Sequence, residues 1–366
     1  MKISINRETL LGPLQIVSNV VEKRQALPIL SNILLQVGND ALTLTGTDME
    51  VEVVVRIANA SKETGSSTLP ARKLVDICRA LPADATIELD VKDTRATLKS
   101  GRSRFALATL PAKDFPALGD TPSTLTLRVD AKVLRDLIAD TQFAMAHQDI
   151  RYYLNGLLLE FSESGLRAVA TDGHRMALAD MEWSTGLKEA VQVIVPRKGV
   201  GEIVRLLAEA TGEVELQVGP AHLKVLSPVR TITTKLIDGK FPDYQRVIPA
   251  KSDKIVTGDR ETLRQGLART SILSSEKFRG VRLVLKNDLL QALAHNPEHE
   301  EAEEELPVEY SGAELEIGFN VVYLLEVLAA IKTDKVQMEL ASPDRSCLVL
   351  PIGDQTRKYV IMPMRL

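Results

Sequence analysis

The sequence predicts an α+β fold in which one folding unit is written three times, and three observations carry that prediction. First, three segments open alike: Ile3-Ser-Ile-Asn-Arg-Glu-Thr-Leu10, Leu125-Thr-Leu-Arg-Val-Asp-Ala-Lys-Val-Leu134 and Ile255-Val-Thr-Gly-Asp-Arg-Glu-Thr-Leu263. Each reads as a short alternating strand, a polar turn and the start of an amphipathic helix. Second, Leu69-Pro-Ala-Arg-Lys73 corresponds to Val195-Pro-Arg-Lys198, and Ile317-Gly-Phe-Asn320 holds the third equivalent place. Each of these leads into a second helix, over 74–81, 199–208 and 321–331. Third, landmarks recur at a nearly constant offset. Thr47-Asp48, Thr171-Asp172 and His295-Asn296 follow one another at 124 residues, and Phe115-Pro116 and Phe241-Pro242 are 126 apart.

The elements follow in order. After the first helix come Leu34–37, Ala41–45 and Val51–55, with period-two or continuous β patterning and Gly or Asn-Asp turns between them. After the second helix the pattern returns at 86–89, 96–99 and 105–110. Each unit therefore holds two helices and about eight strands, and one helix followed by several hairpins excludes a parallel βαβ sheet. Gly119-Asp-Thr-Pro122 and Pro249-Ala-Lys-Ser-Asp253 mark the breaks, giving domains 1–120, 121–250 and 251–366.

Composition narrows the class. The 366 residues exceed one ordinary core, and aromatics are only 4%, so Leu, Val, Ile and Ala must fill the interior. The first residues lack the apolar stretch of a secretory signal, and no run reaches the ~20 apolar residues of a membrane span. Cys78 and Cys347 are the two cysteines and lie far apart, which argues against a disulfide framework. The chain reads as cytoplasmic, without a membrane partner.

Net charge is −4, against nucleic acid on its face, but what matters is where the cations lie. Windows around the six helices (7–24, 72–81, 130–149, 197–209, 259–279 and 320–335) hold 18 Lys/Arg against 14 Asp/Glu, a net of +4, leaving −8 for the rest. A weak excess on the helices suits sequence-independent attraction. No helix-turn-helix, zinc-finger or basic-zipper pattern is present.

Three similar domains in series make either a bent rod or part of a closed figure, since a head-to-tail contact generates a ring when its rotation closes. Arg102-Ser-Arg-Phe-Ala-Leu107 is a basic strand in the first domain, with Phe105 and Leu107 alternating with Arg102 and Arg104. An acidic run, 299–305, lies in the third domain near Ile272 and Leu273. Basic edge and acidic segment suit a head-to-tail seam; two solvated surfaces remain the alternative.

Several motifs then become specific: Leu27-Pro-Ile-Leu-Ser-Asn32, Gly101-Arg-Ser-Arg-Phe105, Gln148-Asp-Ile-Arg-Tyr-Tyr-Leu-Asn-Gly156, Ala170-Thr-Asp-Gly-His-Arg175, Ile194-Val-Pro-Arg-Lys198, Lys277-Phe-Arg-Gly280 and Tyr359-Val-Ile-Met-Pro-Met-Arg-Leu366. Across the whole chain these resemble the bacterial sliding clamps, the β subunits of DNA polymerase III, and most of all the proteobacterial ones. The resemblance implies the DNA-clamp fold. Each chain would be half of a closed ring, a head-to-tail homodimer around duplex DNA with twelve helices lining the hole. It implies a processivity factor rather than an enzyme, with no cofactor and no metal. The ring would be opened by an ATP-driven clamp loader, and the chain itself has no phosphate-binding Gly-x-x-x-x-Gly-Lys-Ser/Thr loop. Its partners would be the polymerase III catalytic subunit, the loader, other polymerases and mismatch-repair proteins, all through a short peptide with an apolar, often aromatic, end.

Residue by residue, the resemblance assigns the peptide cleft to Arg151, Leu154, Thr171, Gly173, His174, Arg175, Met176, Pro242, Arg246, Val247 and the tail Val360, Ile361, Met362, Pro363, Met364, Arg365 and Leu366. Met, Val, Leu and Pro suit a deformable apolar pocket, and Arg and His can rim it with donors. Relatives commonly carry Leu at the place of Met176 and Val at that of Ile361, both near-isosteric changes. DNA contacts fall to Arg24, Arg72, Gln148, Tyr152, Tyr153, Arg197, Lys198 and Arg205, with one tyrosine open to a plain core role. The seam falls to Phe105 and Leu107 against Ile272 and Leu273, flanked by Arg102 and Arg104 with Glu298, Glu300, Glu303 or Glu304.

The strongest enzymatic alternative uses Asp172 and His174, but an Asp-x-His in a Gly-containing turn favours a structural or binding role. His295 and His299 have metal-like spacing, yet Pro297 interrupts the helix that would align them. A protein scaffold that never touches DNA is the other alternative, which the helix charge alone does not exclude.

Overall fold

Six helices occur among the described residues of this computed structural model: α1 (Arg7–Val20), α2 (Ala71–Ala80), α3 (Ala131–Ala139), α4 (Arg197–Glu209), α5 (Arg260–Thr270) and α6 (Val321–Ala330). The described residues are 1–22, 27–58, 63–119, 122–250 and 252–365. Asp120, Thr121 and Lys251 at the expected domain breaks, Arg24 of the expected DNA set and Leu366 of the expected cleft lie outside them.

Local chemistry starts the helices. The carboxamides of Asn6 and Asn320 and the carboxylate of Asp259 accept backbone N–H groups of the first turn, from Glu8 at 2.8 Å, Val322 at 2.9 Å and Thr262 at 2.7 Å. Helices α2 and α4 begin at Ala71 and Arg197, ahead of the expected 74 and 199. Each follows directly on a proline, whose ring already holds φ near the helical value.

Among the described residues every repeat contributes eight strands, in line with the expected grammar, and the strand pairings are antiparallel. The chain forms two compact units, Met1–Lys132 with Gly201–Leu236, and Val133–Val200 with Ile237–Leu366, so the middle repeat is divided between them.

The first unit holds a four-stranded sheet in the order Lys2–Asn6, Thr86–Lys92, Arg95–Ser100, Ser103–Ala108. Its eight-stranded sheet runs Gly65–Pro70, Asn32–Val37, Ala41–Thr47, Val51–Ala58, Arg230–Lys235, His222–Leu226, Glu213–Val218, Leu125–Asp130. Leu14, Val17 and Val20 of α1 are fully buried, and α1 packs on the strands Ala41–Thr47 and Val51–Ala58. Gly46 permits that approach, since a Cβ there would stand 2.3 Å from the Val17 carbonyl oxygen.

The second unit repeats the plan. Its eight-stranded sheet runs Val191–Pro196, Gly156–Ser162, Gly165–Thr171, Arg175–Glu182, Arg357–Ile361, Cys347–Pro351, Lys335–Leu340, Lys254–Asp259. The four-stranded sheet runs Glu301–Pro307, Leu289–His295, Gly280–Lys286, Leu315–Asn320. His295 and His299 sit on the hairpin that joins two of these strands, not on a helix. Among the described residues no helix is long and apolar enough to cross a membrane, and no group of three or more His, Cys, Asp or Glu could hold a metal ion.

Candidate partner cleft, DNA face and seam edges

The turn Thr171–Arg175 is built by its own side chains. The Thr171 hydroxyl donates to the Arg175 carbonyl at 2.6 Å and accepts from the Gly173 N–H at 3.1 Å. The Asp172 carboxylate accepts from the N–H groups of His174 and Arg175 at 2.9 and 3.0 Å. Gly173 has φ +88°, a left-handed position that suits glycine, and it lies against the Arg151 guanidinium. Asp172 is thus committed to the turn, which removes it from the enzymatic alternative.

Beyond the turn, Met176 pairs with Val360, and the Met362 N–H donates to the His174 carbonyl at 2.8 Å. Met176, Leu178, Val360 and Leu348 share one sheet face with Leu158, Val169 and Ile194, and Phe241 and Tyr244 close over them. Tyr244 is held by the Arg167 guanidinium, which donates to its hydroxyl at 3.1 Å and to Asp180 at 2.6 Å. Those bonds hold the Arg167 pKa above its ordinary value. Around this floor stand exposed Pro242 and Val247, half-buried Thr171 and exposed His174, with Met362 41% exposed. Arg246 is paired with Asp243 at 2.8 Å, and Leu154 is buried. Half-buried Pro363 and Met364 and exposed Arg365 continue the tail, tied where the Met364 N–H donates to the Gly318 carbonyl at 2.9 Å.

Two expected cleft residues are placed differently. Arg175 precedes Met176, so strand alternation turns its side chain to the opposite, helix-bearing face. There it pairs with Asp172 and with Glu326 of α6, donates to the Phe143 carbonyl at 2.9 Å, and lies over the Tyr323 ring at 4.4 Å. Burial lowers its pKa, against the pull of Asp172. Ile361, opposite Arg175, is likewise fully buried on that face, so the tail becomes accessible only from Met362 onward. Sequence reasoning missed Phe241 and Tyr244, although Phe241-Pro242 already stood out as a repeat landmark. Arg175→Ala leaves two carboxylates without their buried partner, and is expected to cost about 3 kcal/mol or more of stability. The urea midpoint measures this; an unchanged midpoint would show that the cluster contributes nothing to the fold.

The expected DNA residues that are described divide between α2 and α4, which carry Arg72, Arg197, Lys198 and Arg205, and the segment after α3, which carries Gln148, Tyr152 and Tyr153. Arg72 is exposed in the first turn of α2, and Arg205 is bonded to Glu202 one turn away on α4, which offsets its charge. Arg197 is exposed and donates to the Met145 carbonyl at 3.0 Å; Lys198 is half-buried. Gln148, exposed at φ +57°, opens a loop pinned by a bidentate Arg151–Asp149 pair at 3.0 and 2.9 Å. That pair lowers the Asp149 pKa to about 2. Tyr152 is 57% exposed and meets Tyr153 edge-on at 5.7 Å, while Tyr153 packs on the cleft floor. One tyrosine therefore serves the core, as the sequence left open.

The expected seam residues lie on two sheet edges. Ser103–Ala108 ends one four-stranded sheet and Glu301–Pro307 ends the other. Arg102 and Arg104 are exposed, Phe105 is half-buried and Leu107 is already buried within its own sheet. Ile272 is 74% exposed beside half-buried Leu273, on a short helical turn packed against Glu301–Pro307. Of the acids, Glu298 is exposed, Glu300 accepts from Asn296 at 2.6 Å and Glu303 from Gln291 at 3.1 Å. Glu304 instead faces α5 and is held bidentately by Arg269 at 2.6 and 2.9 Å, a commitment the sequence did not reveal.

Known proteins resolve which family this architecture represents. Models of the DNA polymerase III beta subunit match in chain order: the N-terminal domain over residues 1–119, the central domain over 128–243 and the C-terminal domain over 245–365. The beta sliding clamps of Pseudomonas aeruginosa and Escherichia coli are 52% and 48% identical, each aligned over 100% of both chains. The crystal structure of the DNA polymerase III subunit beta from P. aeruginosa superposes with a TM-score of 0.97 over 100% of both chains, at 52% identity. The chain belongs to the DNA polymerase III beta subunit family, the sliding clamps.

Proposed function

We propose that two copies of this chain close head to tail around duplex DNA and tether the replicative polymerase to its template. The observation that carries the closure is a joint made twice within the chain and left open at both of its ends. In the first unit the strand Arg230–Lys235 pairs with Val51–Ala58, Thr231 opposite Val54. In the second, Arg357–Ile361 pairs with Arg175–Glu182 at equivalent positions. The third pair of equivalent strands is Ser103–Ala108 and Glu301–Pro307, the two sheet edges. A contact of this kind, heterologous and repeated, forms a ring when it closes.

The same joint supplies a register. The hairpin pair Ser100–Ser103 corresponds to Ser227–Arg230, and the pair His295–Glu301 to Thr47–Glu52. Carrying the internal pairing across sets Arg104 of one copy opposite Glu303 of the other on the outward face. Phe105 then meets Ala302 on the inward face, beside Ile272 and Leu273. Arg102 in the adjoining turn is left to reach Glu298 or Glu300, since Glu304 is held by Arg269.

The remaining assignments rest on the same reading. Domain breaks fall near 120 and 250. The protein acts in the cytoplasm, as a processivity factor without catalysis of its own, and an ATP-dependent loader places it on DNA. Arg24, Arg72, Gln148, Tyr152, Arg197, Lys198 and Arg205 touch the duplex without reading its sequence. The cleft over Met176, Val247, Val360 and Met362 takes short partner peptides, from the polymerase III catalytic subunit, the loader, other polymerases and mismatch-repair proteins. The weak charge excess on the helices gives attraction without a fixed register.

Topology tests this directly. Protein loaded onto nicked circular DNA with a clamp loader and ATP is expected to stay bound through gel filtration and to be lost once the circle is cut. Retention on the linear product would mean ordinary DNA binding, and no loading at all would favour a scaffold.

A further inference from the structure

An open pocket of about 740 Å³ lies on the outward face of the four-stranded sheet of the third repeat, away from the cleft floor. Across the sheet its lining changes character. Met364 and Arg365 of the tail form one wall, followed by Gly280 and Arg282, then Leu293 and His295, then Glu301 and Glu303 on the edge strand. Phe278, 57% exposed, also lines the pocket. Arg282 already meets Glu316 at 3.1 Å, so the tail side is shared between guanidinium and carboxylate, and the edge is purely acidic.

The tail connects this pocket to the cleft. Its backbone is anchored to the cleft turn at Met362 and to the Leu315–Asn320 strand at Met364. Met362 therefore borders the cleft and Met364 borders the pocket, three residues of chain forming a wall common to both.

We propose that the pocket receives the segment of a partner protein flanking its cleft-bound peptide, an inference that rests on the cleft reading above. A peptide whose C-terminal end is the apolar one, seated on the cleft floor, sends its flank from the N-terminal side across the tail. There it meets Arg365 and Arg282, then Leu293 and Phe278, then the glutamates. The complementary flank, counted away from the cleft, is an acid, an apolar residue and a base. Neighbouring strands are ~4.8 Å apart, so the crossing spans ~10 Å, about three extended residues. Glu303 is also the proposed cross-seam partner of Arg104, so in the closed ring Glu301 is the acid left for the flank.

The test uses the full chain with methyl-labelled methionines and three peptides: a five-residue core ending Leu-Phe, the core preceded by Lys-Leu-Asp, and the core preceded by Asp-Leu-Lys. The Lys-Leu-Asp extension is expected to tighten binding about five- to tenfold, the size of partly exposed ion pairs with one apolar contact. It should move the Met364 methyl resonance, and the reversed extension should gain little. Arg282→Glu and Glu301→Lys should each reduce the gain while leaving the core peptide's affinity unchanged. A Met364 methyl that ignores the extension, or a gain that survives both substitutions, overturns the pocket assignment. The Met176 methyl reports the cleft floor separately: if the core peptide leaves it unmoved while the extension shifts Met364, the cleft reading fails and the pocket stands.

Discussion

Phe105→Asp is expected to leave the chain monomeric at micromolar concentration. Phe105 is half-buried in the isolated chain and lies on an edge strand, so the substitution spares the core. In the proposed seam it faces Ala302 beside Ile272 and Leu273, where a carboxylate would be desolvated without a partner. Such a charge costs about 3–5 kcal/mol, which weakens the dimer about a hundred-fold or more. Sedimentation velocity reads the result, with an unchanged thermal melt as control; a dimer that persists would sink the seam. The register has its own check. Arg104→Glu places like charges opposite each other and is expected to weaken the dimer about tenfold, and Glu303→Arg in the same chain should restore most of that. Failure of the rescue, with Arg104→Glu still disruptive, would keep the edge and discard the register.

Met362→Asp carries the second large effect. Its side chain borders the apolar cleft floor without belonging to the core, and its N–H is fixed to the turn at His174. A carboxylate there should reduce the affinity of a core peptide ending Leu-Phe by about 2–4 kcal/mol, the range of an interface hot spot. Dimerisation and folding should be unaltered. Fluorescence anisotropy measures the affinity, and binding within threefold of the parent would remove Met362 from the cleft.

Much of this architecture was legible in the sequence because repetition is a signal that local propensity cannot imitate. The polar helix caps at Asn6, Asp259 and Asn320, the alternating strands and the landmarks at constant offset all agree on one unit. The exceptions have physical causes. Arg175-Met-Ala-Leu-Ala reads as nearly continuous apolar chain after its arginine, so the sequence does not reveal which face each side chain takes. Arg175 accordingly appeared as a cleft residue, although its guanidinium lies among Phe143, Tyr323 and Glu326 on the opposite face. Glu304 looked equivalent to its acidic neighbours until its strand phase pointed it at Arg269. Tyr244 joins the cleft floor through Arg167, 77 residues away in the chain, a pairing no local pattern encodes.

The thrice-used joint differs in its outward-facing chemistry. Val54 faces Thr231 at the first internal joint, Leu178 faces Lys358 at the second, and Arg104 would face Glu303 where two molecules meet. At that position only the last is a pair of opposite charges, although the first joint has an ion pair at its rim, Lys235 with Glu50 at 3.3 Å; surface ion pairs weaken as salt screens them. A cell that concentrates its electrolyte under osmotic stress would thus loosen the one joint that must come apart for loading, while the other two are held together by the continuous chain.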